Sequence, residues 1–188
     1  MVRRRLAPAL AAALLACSSH ALPVYSTLPP FSLTDQTGKP FGSEQLAGQV
    51  WVANFIFTRC PTVCPAFTAQ MAKIQAGAKE RRLAIHLVSF SIDPGFDTPE
   101  VMTAYAKAHD ADPAMWSFIT GPPDALQSAI VKGLKIAAKP VGPNEDLGSV
   151  FHGTHFVLVD GQGRIRGYYD SSKPDVVETV LRDAAYIM

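Results

Sequence analysis

Hydrophobic positions along this chain recur in two rhythms, and their alternation predicts the order of elements. Val50–Phe57 (Val-Trp-Val-Ala-Asn-Phe-Ile-Phe) is nearly all apolar, as expected of a central strand covered on both faces. Leu83–Ile92 reads as a second buried strand and Trp116–Ile119 as a shorter third. Between them the spacing turns helical. Pro65–Glu80 places Phe67, Met71, Ile74 and Ala78 on one stripe. Thr98–His109 opens with a threonine that can cap, a proline suited to the first helical position and Glu100 at the positive end. A further helix is expected over about Asp124–Lys132. Upstream, Phe31–Leu33 and Lys39–Phe41 flank the turn signal Asp35-Gln-Thr-Gly38, which predicts a small hairpin. Downstream, strand His155–Val159, turn Asp160-Gly-Gln-Gly163 and strand Arg164–Tyr169 predict a second hairpin, and a last helix follows over about Pro174–Tyr186. Residues 137–150, with two prolines and two glycines, read as an irregular excursion.

Strands alternating with helices imply a parallel core with right-handed crossovers, and the closing strand–strand–helix adds an antiparallel edge. That order, with a cysteine pair directly after the first central strand, predicts an α/β chain of thioredoxin-like fold. Its insertions are the N-terminal hairpin and the excursion before the C-terminal hairpin. With 188 residues the chain suits one such domain, over residues 31–188, behind an N-terminal segment. Apolar residues at 48% and charged residues at 18% support a real core and exclude a disordered chain. A formal net charge of +1 points to no nucleic-acid surface and no trap for acidic ligands.

The first sixteen residues change that picture. Arg3, Arg4 and Arg5 precede a short apolar run, Leu6–Ala16, which reads as an export signal. The run is well short of the roughly 18–20 residues that a membrane-spanning helix needs. Cleavage has two readings. Ser19-His20-Ala21 offers an ordinary site after Ala21, whereas Leu14-Leu15-Ala16-Cys17 resembles a bacterial lipoprotein signal with Cys17 lipidated. Either one accounts for an odd cysteine among three in an exported chain, and the lipoprotein reading is preferred. Residues 17–30 are then a processed or lipidated start and a proline-bearing tether. Loss of the three arginines leaves 14 basic against 16 acidic side chains, a net charge of −2.

The segment Arg59-Cys60-Pro-Thr-Val-Cys64-Pro65 carries the most chemistry. Pro65 disfavours helical geometry at Cys64 and suits the first helical position, which puts Cys64 at a helix mouth and Cys60 on the loop before it. Unpaired N–H groups, the helix dipole and Arg59 favour thiolate there, and thiolate is what metal binding and disulfide exchange require. A bridge closing so short a loop gains little chain entropy, so a purely structural disulfide is a poor explanation. Two soft thiolates suit Cu(I), and an added imidazole suits copper in either oxidation state. The hairpin entry Phe151-His152-Gly153-Thr154-His155 supplies the imidazole candidates His152 and His155. His152 lies before the strand and beside a glycine; the direction of His155 stays open. His86, inside a buried strand, reads as a satisfied core residue, and His109 as a solvated residue near a helix end.

At these residues the chain resembles the Sco (SenC) family of copper-handling proteins used in building cytochrome c oxidase. The match rests on Phe57-Thr-Arg-Cys60-Pro-Thr-Val-Cys64-Pro65, on Ser91-Ile-Asp93-Pro-Gly-Phe-Asp97-Thr-Pro99, and on His152 eleven residues before Gly163. The resemblance covers roughly residues 28–187. It implies one copper held by Cys60, Cys64 and His152, and a Cys60–Cys64 disulfide when oxidised. It also implies delivery of copper to the copper-bearing oxidase subunit, or reduction of that subunit's cysteines, with a periplasmic thiol reductant or copper donor upstream. The expected location is the periplasmic side of the membrane, at its surface through a lipid anchor. Most family members instead carry a transmembrane anchor. Asp93 and Asp97 read as turn and capping residues before the second helix. Two cysteines and a histidine also suit an open zinc site; copper's place in the affinity order and the resemblance favour copper. The competing function is a thiol-disulfide reductase, against which stand three residues, not two, between the cysteines. A peroxidase or a copper or redox sensor is a more distant alternative.

Overall fold

The computed structural model describes residues 21–61, 63–138, 141 and 154–188. Its described strands form one eight-stranded mixed sheet, in the order β1 (Ser26–Thr27), β8 (Arg164–Asp170), β7 (His155–Val159), β4 (Val50–Ile56), β5 (Ile85–Ser91), β6 (Trp116–Thr120), β2 (Ser32–Asp35), β3 (Pro40–Gly42), with a short helix α1 (Ser43–Leu46) after β3. The centre is parallel: β4 pairs with β5, and β5 with β6. All seven residues of β4 are buried, which is why its sequence carries no polar alternation. On one side the expected N-terminal hairpin, β2 and β3, docks antiparallel on β6. On the other side β7 runs antiparallel to β4, with Ala53 opposite Val157, and β8 returns beside it.

Helices cover the sheet between strands. Helix α2 (Val63–Arg81) buries Phe67, Met71, Ile74 and Ala78, the stripe that the spacing predicts. It packs against α5 (Val176–Tyr186), where Leu181 fills the space above Gly77. Helix α3 (Pro99–Ala108) is capped by Thr98, whose Oγ1 accepts from the Val101 N–H at 3.4 Å. The expected helix near Asp124–Lys132 divides into α4 (Pro123–Gln127) and a π-wound stretch over Ser128–Gly133.

Two expectations need correction. Helix α2 starts at Val63, so Cys64 lies inside its first turn. The bias of a pre-proline residue against helical geometry is a preference, and Pro65 still gives up only an N–H that the first turn leaves without an intrahelical partner. The segment read as a tether is also partly bound. Residues Ser26–Thr27 (β1) pair with β8, and the Tyr25 and Leu28 N–H groups donate to the Ile165 and Gly163 carbonyls at 2.9 and 2.8 Å. Arg166 reaches the Leu22 and Pro23 carbonyls through Nη2 and Nε at 2.7 and 3.0 Å. Proline lacks a donor but keeps its acceptor, so an edge position tolerates it. The signal segment, Cys17 and most of the excursion lie outside the described residues. Among the described residues no helix is long and apolar enough to cross a membrane.

Candidate functional site

Parallel pairing of β4 with β5 brings two loops together at the carboxyl end of the sheet, the edge where α/β proteins place their chemistry. After β4 the chain turns through Thr58 and Arg59 to Cys60, and the Cys60 N–H donates to the Phe57 carbonyl at 3.1 Å. The Cys64 N–H in turn points at Cys60 Sγ, 3.5 Å away. Both cysteines are buried, Cys60 at 8% exposure and Cys64 at 1%. That burial decides the resting protonation of Cys64. It pushes the thiol pKa well up, further helped by contact with Cys60, while a hydrogen bond from the Phe57 backbone pulls the other way. Burial thus opposes the thiolate expected at Cys64 from the helix mouth and Arg59.

The loop after β5 braces the cysteine loop from the side. Asp97 is fully buried and accepts from Thr58 Oγ1 at 2.5 Å, Ser91 Oγ at 2.5 Å and the Thr58 N–H at 3.2 Å. Burial raises its pKa, and these donors only partly offset that. Asp93, also buried, accepts from Arg59 Nε at 2.6 Å, and its N–H donates to Ser91 Oγ at 3.0 Å. The turn half of the reading holds, since the Asp93 carbonyl accepts from the Phe96 and Asp97 N–H groups at 3.0 and 2.9 Å, but Thr98 caps α3, and the bracing of the cysteine loop was missed. The available signal was position: each loop follows a buried strand, and those strands are neighbours in parallel register.

The histidines separate cleanly. His86 is the core residue expected, with Nε2 2.9 Å from Ser117 Oγ and its ring stacked on Phe41. Burial lowers its pKa to about 4. His109 differs from its solvated reading: it ends α3 half-buried against Tyr105, and burial lowers its pKa. Tyr105 in turn hydrogen-bonds Thr68 at 2.8 Å. His155 opens β7 opposite Asp170 of β8. His152 lies outside the described residues. The described residues on either side of it approach the cysteine edge. Val141 donates to the Ile92 carbonyl at 2.9 Å, Ile92 donates to the Ile56 carbonyl at 2.9 Å, and the amino end of β7 points toward the carboxyl end of β4. Among the described residues, no three His, Cys, Asp or Glu side chains group as a metal site.

Comparison with known proteins gives one consistent result. The SCO1/SenC family model matches residues 21–186. A SCO1/SenC family lipoprotein from Bacillus anthracis superposes with a TM-score of 0.79 at 37% identity, over 86% of this chain and 95% of that one. BsSco, described with a disulfide switch and as a member of the Sco family of cytochrome c oxidase assembly proteins, gives 0.76 at 29% identity, over 89% and 99%. A putative copper-binding protein of Stutzerimonas stutzeri is 32% identical over 163 residues, 85% of this chain and 78% of its own length.

Proposed function

The chain belongs to the SCO1/SenC family, and from that premise we propose that it is an exported copper carrier for cytochrome c oxidase. In this reading Cys60, Cys64 and His152 hold one copper ion, which passes to the copper-bearing oxidase subunit. The observation that carries the reading is the pair of buried sulfurs at the start of α2, at the carboxyl edge of the sheet. Two soft sulfurs fit Cu(I), and an imidazole extends the set to Cu(II). Because burial favours the neutral Cys64 thiol, copper entry displaces a proton, and affinity rises with pH. The same burial weighs against a main role as a thiol-disulfide reductase, since thiolate is the attacking form. Oxidation to a Cys60–Cys64 disulfide would close the site. A lipid on Cys17 would hold the domain at the periplasmic membrane surface, and N-terminal sequencing of the mature protein tests this: a start at Leu22 would reject it.

Metal analysis and copper spectroscopy on the reduced protein test the core of the proposal. One copper per chain is expected, lost in Cys60→Ser, in Cys64→Ser and on oxidation. His152→Ala should weaken binding by orders of magnitude and alter the copper spectrum, while His155→Ala should change binding little. Retention of copper at wild-type affinity by either cysteine variant would sink the site, and the reverse histidine pattern would move the third ligand to His155.

A further inference from the structure

Arg59 directly precedes Cys60 and is tied in two directions. Its Nε donates to the buried Asp93 carboxylate at 2.6 Å, and its guanidinium lies over the ring of Phe96, 4.9 Å from the centroid. Among the described residues no partner meets its two terminal nitrogens, and 35% of the side chain remains exposed. Phe96 is 44% exposed; the other exposed large apolar side chains among the described residues, Val24, Tyr25, Tyr186 and Met188, lie near the chain ends. Among the described residues of the cysteine loop and the loop after β5, the exposed ones are Arg59, Pro61, Gly95, Phe96 and Thr98, so Arg59 is the one charge among them; the next exposed charge is Glu100, in the first turn of α3. An apolar patch with an aromatic side chain and an arginine at its centre, poor in other charges, has the composition of a protein-binding hot spot. A guanidinium fixed through Nε, with both Nη atoms unpartnered among the described residues, matches a carboxylate in a two-point geometry, with much of its ordering cost already met.

We propose that Arg59 and Phe96 form the docking face through which this protein engages its copper acceptor. The occupant is a protein that presents an Asp or Glu side chain beside the cysteines receiving the metal. The carboxylate takes the two Nη groups, its apolar surroundings cover Phe96, and the contact sets the acceptor's cysteines against Cys60. This rests on the carrier reading, and it adds the acceptor's chemistry and its point of contact.

The test titrates copper-loaded protein with the soluble copper-bearing domain of the host's oxidase subunit, following Kd and metal transfer. Arg59→Gln should weaken the complex about tenfold and flatten its salt dependence, consistent with loss of a charge-assisted pair. Arg59→Lys, which keeps the charge but not the fork, should recover only part of that. Phe96→Ala should weaken the complex about fivefold with the carrier's copper affinity intact, since Phe96 is exposed and its ring contact among the described residues is with Arg59. Replacement of one acceptor carboxylate by Lys should reproduce the loss and add nothing on top of Arg59→Gln. Wild-type binding with unchanged Kd in Arg59→Gln and Phe96→Ala would overturn the docking face and leave the carrier reading standing. Failure of the wild type to bind or load that domain would overturn both.

Discussion

Two buried aspartates, one at each end of the central strand, meet their charge in opposite ways. Asp160, in the turn between β7 and β8, accepts from Arg164 and Arg166 at 2.8 and 2.9 Å and from the Gln162 and Arg164 N–H groups at 3.0 Å each. Burial alone would raise its pKa, yet these donors overcome it and hold the carboxyl below the usual range. Asp97, beside the cysteine loop, has hydroxyls and one amide as partners, and its pKa is raised. The first is a compensated charge that fastens structure: Arg166 also grips the Leu22 and Pro23 carbonyls, and Gly161 crosses Gly48 with no room for a Cβ. The second is a less compensated charge tied directly to the segment that carries the cysteines. Incomplete compensation is characteristic of functional edges, where geometry at the site takes precedence over stability.

The widest separation between the two ends should come from Asp160→Asn. It leaves Arg164 and Arg166 without their shared partner in a partly dehydrated place, and loss of one member of such a cluster costs about 3 kcal/mol. Chemical denaturation should register that loss, with copper affinity and spectrum unchanged. Because the folded-state pKa of Asp160 is depressed, its contribution is present above the unfolded value near 3.9 and disappears as pH falls through the folded one. The wild type should therefore lose stability at low pH more steeply than the variant. A copper spectrum that changed in Asp160→Asn would break the division of labour between the two ends.

A second test uses His86, which lies between them in β5. Its folded-state pKa of about 4 is below the unfolded value near 6.5, so the unfolded chain takes up a proton first as pH falls. Stability should decline from about pH 6.5 to about pH 4, by up to roughly 3 kcal/mol at the limit of that shift. His86→Gln, whose amide reaches about as far as Nε2 and can keep a hydrogen bond to Ser117, should flatten this slope. An equally steep slope in the variant would assign it to other groups.

How much of this was legible in the sequence follows from how local each determinant is. Long apolar runs located β4 and β5, and the stripe from Phe67 to Ala78 located α2, because burial writes directly into spacing. The cysteine pair was legible for the same reason: Cys60 and Cys64 are close in sequence and in space. The roles of Asp93 and Asp97 were not, since their partners Arg59 and Thr58 lie 34 and 39 residues upstream and meet them only through the parallel register. Docking of residues 22–28 was hidden further still, being made by main-chain carbonyls and an arginine more than 140 residues away. The raised pKa of Cys64 reversed a local argument from dipole and neighbouring charge, because burial is a property of the whole fold. Cys17 and His152 lie outside the described residues and rest on motif and spacing alone.

The smallest effect tests the comparison most sharply. Asp97→Asn keeps the shape of the side chain. Thr58 N–H and Oγ1 can still donate to Oδ1, and Ser91 Oγ can accept from the new amide. Only the Ser91 hydroxyl proton loses its acceptor, so stability should fall by no more than about 1 kcal/mol. The angle at which Thr58 holds the cysteine loop should shift by a few tenths of an ångström, since strong bonds from two hydroxyls to a carboxylate become ordinary ones. Copper affinity should fall about tenfold, or about 1.4 kcal/mol, with a change in the copper spectrum. Thr58→Val, which removes the hydroxyl from the other side of the same bond, should reproduce the spectral change, and the two together should be less than additive. The pattern is then the inverse of Asp160→Asn: little stability lost, and the site altered. Wild-type affinity and spectrum in both variants would reduce Asp97 to a core residue and leave the two ends of the sheet alike.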